Sequence, residues 1–171
     1  MTNPIKTLLL TVVLLLGSSQ IGYAQDFNKG VEAHKRGDYA AALKEFRPLA
    51  AQGDAVAQTN LGYMYNHGQG VTQDYKEAVK WYRLAVEQGL AEAQASLGWM
   101  YEYGRGVIQD YKEAVRLYRL AAEQGDAKAQ NNLGAMYHNG EGVIQDMVYA
   151  HMWFNIAASN GYEDAVNNRD M

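Results

Sequence analysis

The chain has 171 residues, of which 48% are hydrophobic and 20% are charged, and its formal net charge is −4. This composition predicts a folded chain with a buried core rather than a disordered one. A net acidic chain gives no electrostatic reason to expect a nucleic-acid partner, because binding to phosphate groups needs a basic face. The chain contains no cysteine, which excludes disulfides, cysteine-ligated zinc, thiol catalysis and a lipid-modified cysteine anchor.

The first residues have the layout of a secretory signal peptide. A short basic start with Lys6 leads into the almost wholly apolar stretch 5–16, and small residues stand at Gly22 and Ala24. This order predicts cleavage after Ala24, so that residues 1–24 are removed on export. The alternative is an uncleaved anchor, but the apolar stretch is shorter than the roughly 20 residues that span a bilayer. We therefore expect a periplasmic or secreted protein with no membrane span after cleavage.

The rest of the chain repeats itself with a period of 36 residues. A segment of the form Leu-Gly-x-Met-Tyr begins at Leu61, Leu97 and Leu133. A Gly-x-Gly-Val turn follows each of these segments, and an aspartate follows each turn, at Asp74, Asp110 and Asp146. Self-similarity at a fixed period is the sequence signature of a repeat architecture.

Each period predicts two helices separated by the glycine-rich turn. In the first copy, apolar residues recur at helical spacing over 55–66, and a second helix is expected over 75–88. Asp74 followed by Glu77 has the pattern of a capping box with aspartate in place of serine or threonine. Leu90 precedes the first helix of the next copy and cannot cap it with its side chain, so that junction is expected to be weaker.

We divide the chain accordingly into a signal segment, an incomplete opening helix pair, three full repeats and a partial last helix. The segments are residues 1–24, 25–53, 54–89, 90–125, 126–161 and 162–171. Residues identical in every copy, among them Leu61, Gly62 and Met64, are expected to be those that packing requires.

The period and its residues resemble the Sel-one-like repeat family, a branch of the tetratricopeptide-type α-solenoids. The family pattern A-x-A-Q-x-x-L-G-x-M-Y-x-x-G-x-G-V-x-x-D is met from Ala91 onward and closely by the copies on either side. The resemblance implies an all-α, right-handed solenoid of antiparallel helix pairs that serves as an adaptor or scaffold. It also implies a periplasmic or secreted location for a bacterial member that carries a signal peptide.

A cysteine-rich secreted subgroup of this family has been linked to penicillin binding and β-lactamase activity. Members of that subgroup pair a disulfide in every repeat, and this chain has no cysteine. The link therefore does not carry over, and β-lactam binding or hydrolysis is kept only as an alternative function.

The sequence shows no catalytic or cofactor motif after the signal segment. The only serines there are Ser96 and Ser159, and neither begins Ser-x-x-Lys or lies in Gly-x-Ser-x-Gly. No histidine falls in a His-Glu-x-x-His motif, and the Gly-x-Gly turns lack the third glycine and the Lys-Ser/Thr pair of phosphate-binding loops. We therefore predict a protein that is not an enzyme and uses neither metal nor cofactor.

Some positions on the first helix of each repeat differ between copies, so packing does not determine the residue there. At helical spacing these positions form a stripe on the helix surface that is separate from the packed one. The resemblance implies that first helices line the concave side, so this stripe is expected to bind a peptide or protein with its aromatic and polar side chains. The candidate residues are Asn60, Tyr63, His67, Ser96, Trp99, Tyr103, Asn132 and Asn139, and the same stripe contains Val56, Glu92, Lys128 and Ala135. The alternative is that Trp99 and Tyr63 merely pack against the adjoining repeat.

The C-terminal end predicts a third kind of interaction. A short last helix covers less of the preceding apolar face than a full helix would. A face near Trp153, Phe154 and Tyr162 is therefore expected to mediate self-association.

Overall fold

The computed structural model describes residues 26–169, so the predicted signal segment 1–24 lies outside the described residues. The described part contains nine helices and no strand. They are α1 (residues 26–35), α2 (Tyr39–Ala51), α3 (Ala55–His67), α4 (Tyr75–Glu87), α5 (Ala91–Glu102), α6 (Tyr111–Glu123), α7 (Ala127–Asn139), α8 (Met147–Ser159) and α9 (Asp164–Arg169). Within this part, no helix is long and apolar enough to cross a membrane.

Helices pack against their neighbours in chain order. The most extensive contacts join α3 to α4, α5 to α6 and α7 to α8, and smaller contacts join each pair to the next. This arrangement is an all-α solenoid of tetratricopeptide type, as the sequence predicted. The helices expected over 55–66 and 75–88 differ from α3 and α4 by one residue at their C-terminal ends.

Aspartate side chains cap the start of most helices in the repeats. Asp54 accepts a hydrogen bond from the Ala57 amide, and Asp74 accepts from the Lys76 and Glu77 amides. Leu90 stands at the same extended N-cap conformation as Asp54 but makes no side-chain capping bond. The structure therefore confirms that the side-chain cap is missing at Leu90, and the weaker junction stays a prediction.

The predicted capping box at Asp74 is only half formed. The Asp74 amide donates to the carbonyl oxygen of Tyr65 in the preceding helix, at 3.0 Å. Because that donor is occupied, the Glu77 carboxylate does not reach back to it and instead pairs with Lys80 at 2.6 Å. The aspartate thus ties the end of α3 to the start of α4, a role that the expected box did not include.

The identically repeated residues form the core. Leu61, Met64 and Gly62 are buried, as are their counterparts in the other copies. Gly98 lies so close to α6 that an added Cβ would stand 2.9 Å from the Cδ1 of the buried Tyr118 ring. These glycines are therefore required by packing, as the sequence predicted, because they allow the paired helices to approach closely.

A ladder of polar side chains that the sequence analysis did not predict runs between the helix pairs. The buried Gln58 donates from Nε2 to the Ala50 carbonyl oxygen at 3.1 Å and accepts from Gln88 Nε2 at 2.9 Å. The same contact recurs between Gln124 and Gln94. These bonds satisfy buried amides that would otherwise destabilise the core.

Phe154 is a core residue, which corrects the predicted C-terminal face. Its ring is buried against Gly134, where an added Cβ would stand 2.7 Å from Phe154 Cδ1. Trp153 and Tyr162 are only half-buried. The exposed apolar residues at this end are instead Ile144, Met147, Val148, Tyr149, Met152 and Val166.

Candidate partner-binding site

A cavity of about 400 Å³ opens between the first helices of the three repeats. Helices α3, α5 and α7 supply its rim, and the Tyr82 side chain reaches it from α4. The lining residues are Tyr63, Asn66, His67, Tyr82, Glu92, Ala95, Ser96, Trp99, Asp126 and Lys128. We call this space the first-helix cavity.

Aromatic rings form two neighbouring walls of the first-helix cavity. The rings of Tyr63 and His67 are stacked with their centroids 4.0 Å apart, and His67 Nδ1 lies 2.9 Å from the Tyr63 carbonyl oxygen. The Trp99 ring lies 5.1 Å from that of Tyr103, one turn along α5. Each wall thus contains an i, i+4 ring contact, which favours this arrangement of the rings.

Polar groups lie at the base of the cavity. Burial raises the pKa of the Tyr82 hydroxyl well above its usual value, although a hydrogen bond with Ser96 acts in the opposite direction. Asn66 is only 9% exposed, and its Oδ1 atom has no hydrogen-bond partner among the described residues. A buried acceptor without a partner is uncommon and costs free energy, so Asn66 Oδ1 is an unfavourable group beneath the cavity.

The second repeat has a carboxylate at the position that corresponds to Asn66. Glu102 stands where the first repeat has Asn66, and it accepts a 2.5 Å hydrogen bond from the Tyr118 hydroxyl. A hydrogen bond with Glu102, together with burial, raises the pKa of Tyr103 to about 12. The unpaired acceptor is therefore specific to the first repeat.

Acidic groups outnumber basic groups on the first helices. Helices α3, α5 and α7 and their N-cap residues carry the carboxylates of Asp54, Glu92, Glu102 and Asp126 and the single ammonium group of Lys128. Neither Glu92 nor Lys128 has an ion-pair partner within 4.0 Å among the described residues. The cavity thus holds charged groups that are free to meet a ligand.

Three successive segments match the family model described as Sel1 repeat, over residues 55–90, 91–126 and 127–162. The chain belongs to the Sel1 repeat family. This is the family that the sequence resembles, and Sel1 repeats form a helical scaffold that generally mediates protein–protein interaction.

Solved structures of Sel1 repeat proteins are similar to this chain. A Sel1 repeat protein from Oxalobacter formigenes is 36% identical, with a TM-score of 0.77, over 84% of this chain and 59% of its own. The c5321 protective antigen of uropathogenic Escherichia coli, which displays an SLR fold, is 38% identical, with a TM-score of 0.80, over 90% of this chain and 34% of its own. This chain therefore spans only part of the length of either relative.

A further structure shows likeness of fold alone. Helicobacter pylori cysteine rich protein B is 22% identical, with a TM-score of 0.60, over 76% of this chain and 93% of its own. No curated protein matches the sequence.

The Sel1 fold brings half of the predicted site residues to the first-helix cavity. Those that line it are Tyr63, His67, Ser96 and Trp99. The others lie outside its lining, namely Asn60, Tyr103, Asn132 and Asn139. Asn60 donates from Nδ2 to the Val56 carbonyl oxygen on its own helix, and Asn139 donates to Glu141.

Trp99 satisfies both interpretations that the sequence left open. Its half-buried ring packs against the cores on either side of α5 while another part of it lines the cavity. Tyr63 is 41% exposed and contacts the rings of His34 and His67. Trp99 is therefore a fixed wall, whereas Tyr63 stands more freely in solvent.

Asn66, Tyr82, Ala95 and Asp126 line the cavity but were not predicted. Asn66 varies between copies, as Glu102 and His138 show, so comparison of the copies contained a signal for it. Tyr82 gave no such signal because its ring belongs to the core, and only the three-dimensional packing places it beside the cavity.

A second groove lies on the outer side of the Sel1 repeats. About 950 Å³ in volume, it separates α4 from the turn before α6 and is bordered by Lys76, Lys80 and Arg83. All three side chains are exposed to solvent. Among the residues from 26 to 169, no group of three or more His, Asp or Glu side chains converges to hold a metal ion.

Proposed function

We propose that this protein is a non-catalytic interaction scaffold of the cell envelope that binds a peptide or a protein segment in the first-helix cavity. One observation carries the proposal. The cavity rim consists largely of residues that differ between copies, such as Tyr63, Trp99 and Lys128, whereas the identically repeated Leu61, Met64 and their counterparts lie in the core. Residues that packing does not determine and that line one cavity are well suited to binding a partner.

The chemistry of the cavity supports a protein partner. Its walls combine large aromatic surfaces with a few polar groups, which is the composition of interface hot spots. Its volume of about 400 Å³ is at the small end of the range for ligand pockets. A few side chains of a bound segment would occupy such a space, while neighbouring repeats contact the rest of the partner.

The envelope location rests on the predicted signal segment 1–24 and is part of the proposal. It is tested together with binding, in living bacteria that express the full chain. Intact mass spectrometry of the recovered protein should show a first residue of Gln25, and the protein should fractionate with the periplasm or the medium. A full-length chain that remains in the cytoplasm would contradict the location.

Site-specific photo-crosslinking tests the binding surface. A photoreactive phenylalanine analogue replaces Tyr63 in the cavity or, in the matched control, Leu84 on the outer side of α4. The two positions are equally exposed, at 41% each, so random collisions should label both alike. We expect a discrete cross-linked partner from position 63 and none from position 84.

A register-matched variant adds a second criterion. Trp99→Ala places on α5 the residue that the third repeat already has at Ala135, but it also removes packing against the cores on either side, so circular dichroism first checks that the variant is folded. We expect this variant to weaken the cross-link from position 63. Equal labelling from positions 63 and 84, or labelling that Trp99→Ala leaves unchanged, would remove the cavity from the proposed function.

We also propose that the protein associates with itself through its C-terminal end, as the sequence predicted. Support comes from α8, in which Val148, Tyr149 and Met152 are exposed and no Lys, Arg, Asp or Glu occurs. No observation favours the β-lactam alternative, and this chain lacks the cysteines of the subgroup that suggested it.

A further inference from the structure

We propose that the first-helix cavity recognises a lysine or arginine side chain of its partner, held against the part of the Trp99 ring that lines the cavity and beside Glu92. This inference rests on the proposed function and names the chemical class of the ligand. Three features of the described residues lead to it: the distribution of charge, the aromatic walls and the free carboxylate oxygens of the cavity.

Charge distinguishes the cavity side from the outer side of the solenoid. The first helices and their caps carry four carboxylates against Lys128 alone. On α4 and its cap, three carboxylates face three basic groups, and the same balance holds for α6. The excess of negative charge in the three repeats therefore lies mainly on the first helices, where it attracts a cationic ligand.

The aromatic walls provide a surface for a cation. Tryptophan is the aromatic side chain that attracts an ammonium or guanidinium group most strongly, and tyrosine also does so. Trp99 and Tyr63 both line the cavity, and Glu92, Ser96 and Trp99 all belong to α5. A basic side chain that enters here can therefore meet an aromatic face and a carboxylate at the same time.

Two carboxylates of the cavity keep acceptor oxygens without a partner. Glu92 has no ion pair among the described residues. Asp126 uses one oxygen to accept from the Ala129 amide at 2.7 Å, which leaves its second oxygen. Lysine and arginine head groups contain only donors and are positively charged, so they match these carboxylates.

Peptide selection tests the inference on the purified full chain. A phage-displayed random dodecapeptide library is selected against the wild-type protein, and the Lys and Arg content of the enriched peptides is compared with their Asp and Glu content. We expect a basic excess. In the best synthetic peptide, replacement of the basic residue by Gln should weaken binding about tenfold, as measured by fluorescence anisotropy.

Variants of the protein identify the contact. Glu92→Lys introduces the residue that the third repeat has at Lys128, and Glu92→Val introduces that of Val56, so the helix should accept both. We expect binding to weaken about tenfold for Glu92→Lys and less for Glu92→Val, which removes attraction without adding repulsion. Glu87→Lys, an equal change of charge at an exposed outer position, should change binding by less than about twofold, because salt screens distant charges.

The outcomes separate this inference from the proposed function. Peptides that lose binding in Trp99→Ala but show no basic excess, or an acidic one, would overturn the basic-residue inference and leave the cavity as a binding site. Equal effects of Glu92→Lys and Glu87→Lys would also overturn it, because they indicate attraction by net charge. A library without binders, or binders indifferent to Trp99→Ala, would overturn both.

Discussion

Gly106 allows the turn of one repeat to touch the backbone of the repeat before it. Its φ is +72°, and a Cβ placed there would press against the carbonyl group of Tyr75, with the Lys76 nitrogen at 2.8 Å. The neighbouring Arg105 guanidinium lies over the Tyr75 ring, 5.3 Å from its centroid. Gly142 repeats the contact on Tyr111. Single glycine positions thus set how closely successive repeats stack.

At the residue scale, Gly106→Ala should lower the free energy of unfolding by about 2–4 kcal/mol. The substitution combines a left-handed backbone conformation, which is unfavourable for alanine, with overpacking against a main chain that cannot rotate away. The control is Gly89→Ala, where φ is +82° but nothing lies within 4 Å of the added Cβ. It should cost only about 1–2 kcal/mol, the backbone part alone. Urea unfolding measures both, and equal losses would show that the contact with Tyr75 is unimportant.

At the scale of the element, N-caps determine how well each helix begins. Asp54 and Asp126 each accept a hydrogen bond from an amide in the first turn of their helix. Leu90 has nearly the same backbone conformation, with φ −68° and ψ 119° against −66° and 115° at Asp54. Only its side chain fails to cap α5. The cap is therefore missing because leucine has no hydrogen-bond acceptor in its side chain, and not because the backbone conformation is wrong.

Leu90→Asp should stabilise the protein by about 0.5–1 kcal/mol, since it adds a capping hydrogen bond to an N-cap that is already in the right conformation. Asp54→Leu is the reverse substitution at the equivalent position and should destabilise by about 1 kcal/mol. The free energies come from urea unfolding of each variant. A Leu90→Asp protein no more stable than the wild type would mean that the half-buried leucine contributes as much by packing as the cap would.

At the scale of the whole molecule, the second helices of the three repeats differ in their outer faces. Helices α4 and α6 each form an exposed ion pair, Glu77 with Lys80 and Glu113 with Arg116. On α8 the same registers hold Tyr149 and Met152, and the preceding Val148 is 79% exposed. The other two repeats have charged residues at these registers and form the same helix pair. Packing within a repeat therefore does not require apolar residues at these positions.

Self-association through this end stays a prediction, and a double substitution tests it. Val148→Lys/Met152→Arg gives α8 the residues that α6 carries at the same registers, so its fold should persist. Sedimentation velocity on the wild type should show a dimer at concentrations on the order of tens of micromolar, and the variant should be monomeric. A wild type that stays monomeric throughout that range would exclude this interaction.

Features that recur with the repeat could be predicted from the sequence because each has a local or one-period cause. The alternation of helix and turn follows from the spacing of apolar residues and glycines, and comparison of the copies separated core residues such as Leu61 from variable ones such as Tyr63. The missing cap at Leu90 followed from the chemistry of one side chain. None of these inferences required knowledge of long-range contacts.

Contacts between different helices could be read only from the tertiary structure. It placed Tyr82 beside the cavity, buried Phe154, which had been expected on an outer face, and gave the Asp74 amide to Tyr65 in place of Glu77. It also left Asn60 and Asn139 outside the cavity lining. The sequence by itself determined the repeat, its helices and its core, because periodicity records the packing that every copy shares. Only the folded chain selected which variable side chains converge, since that depends on how three repeats are stacked.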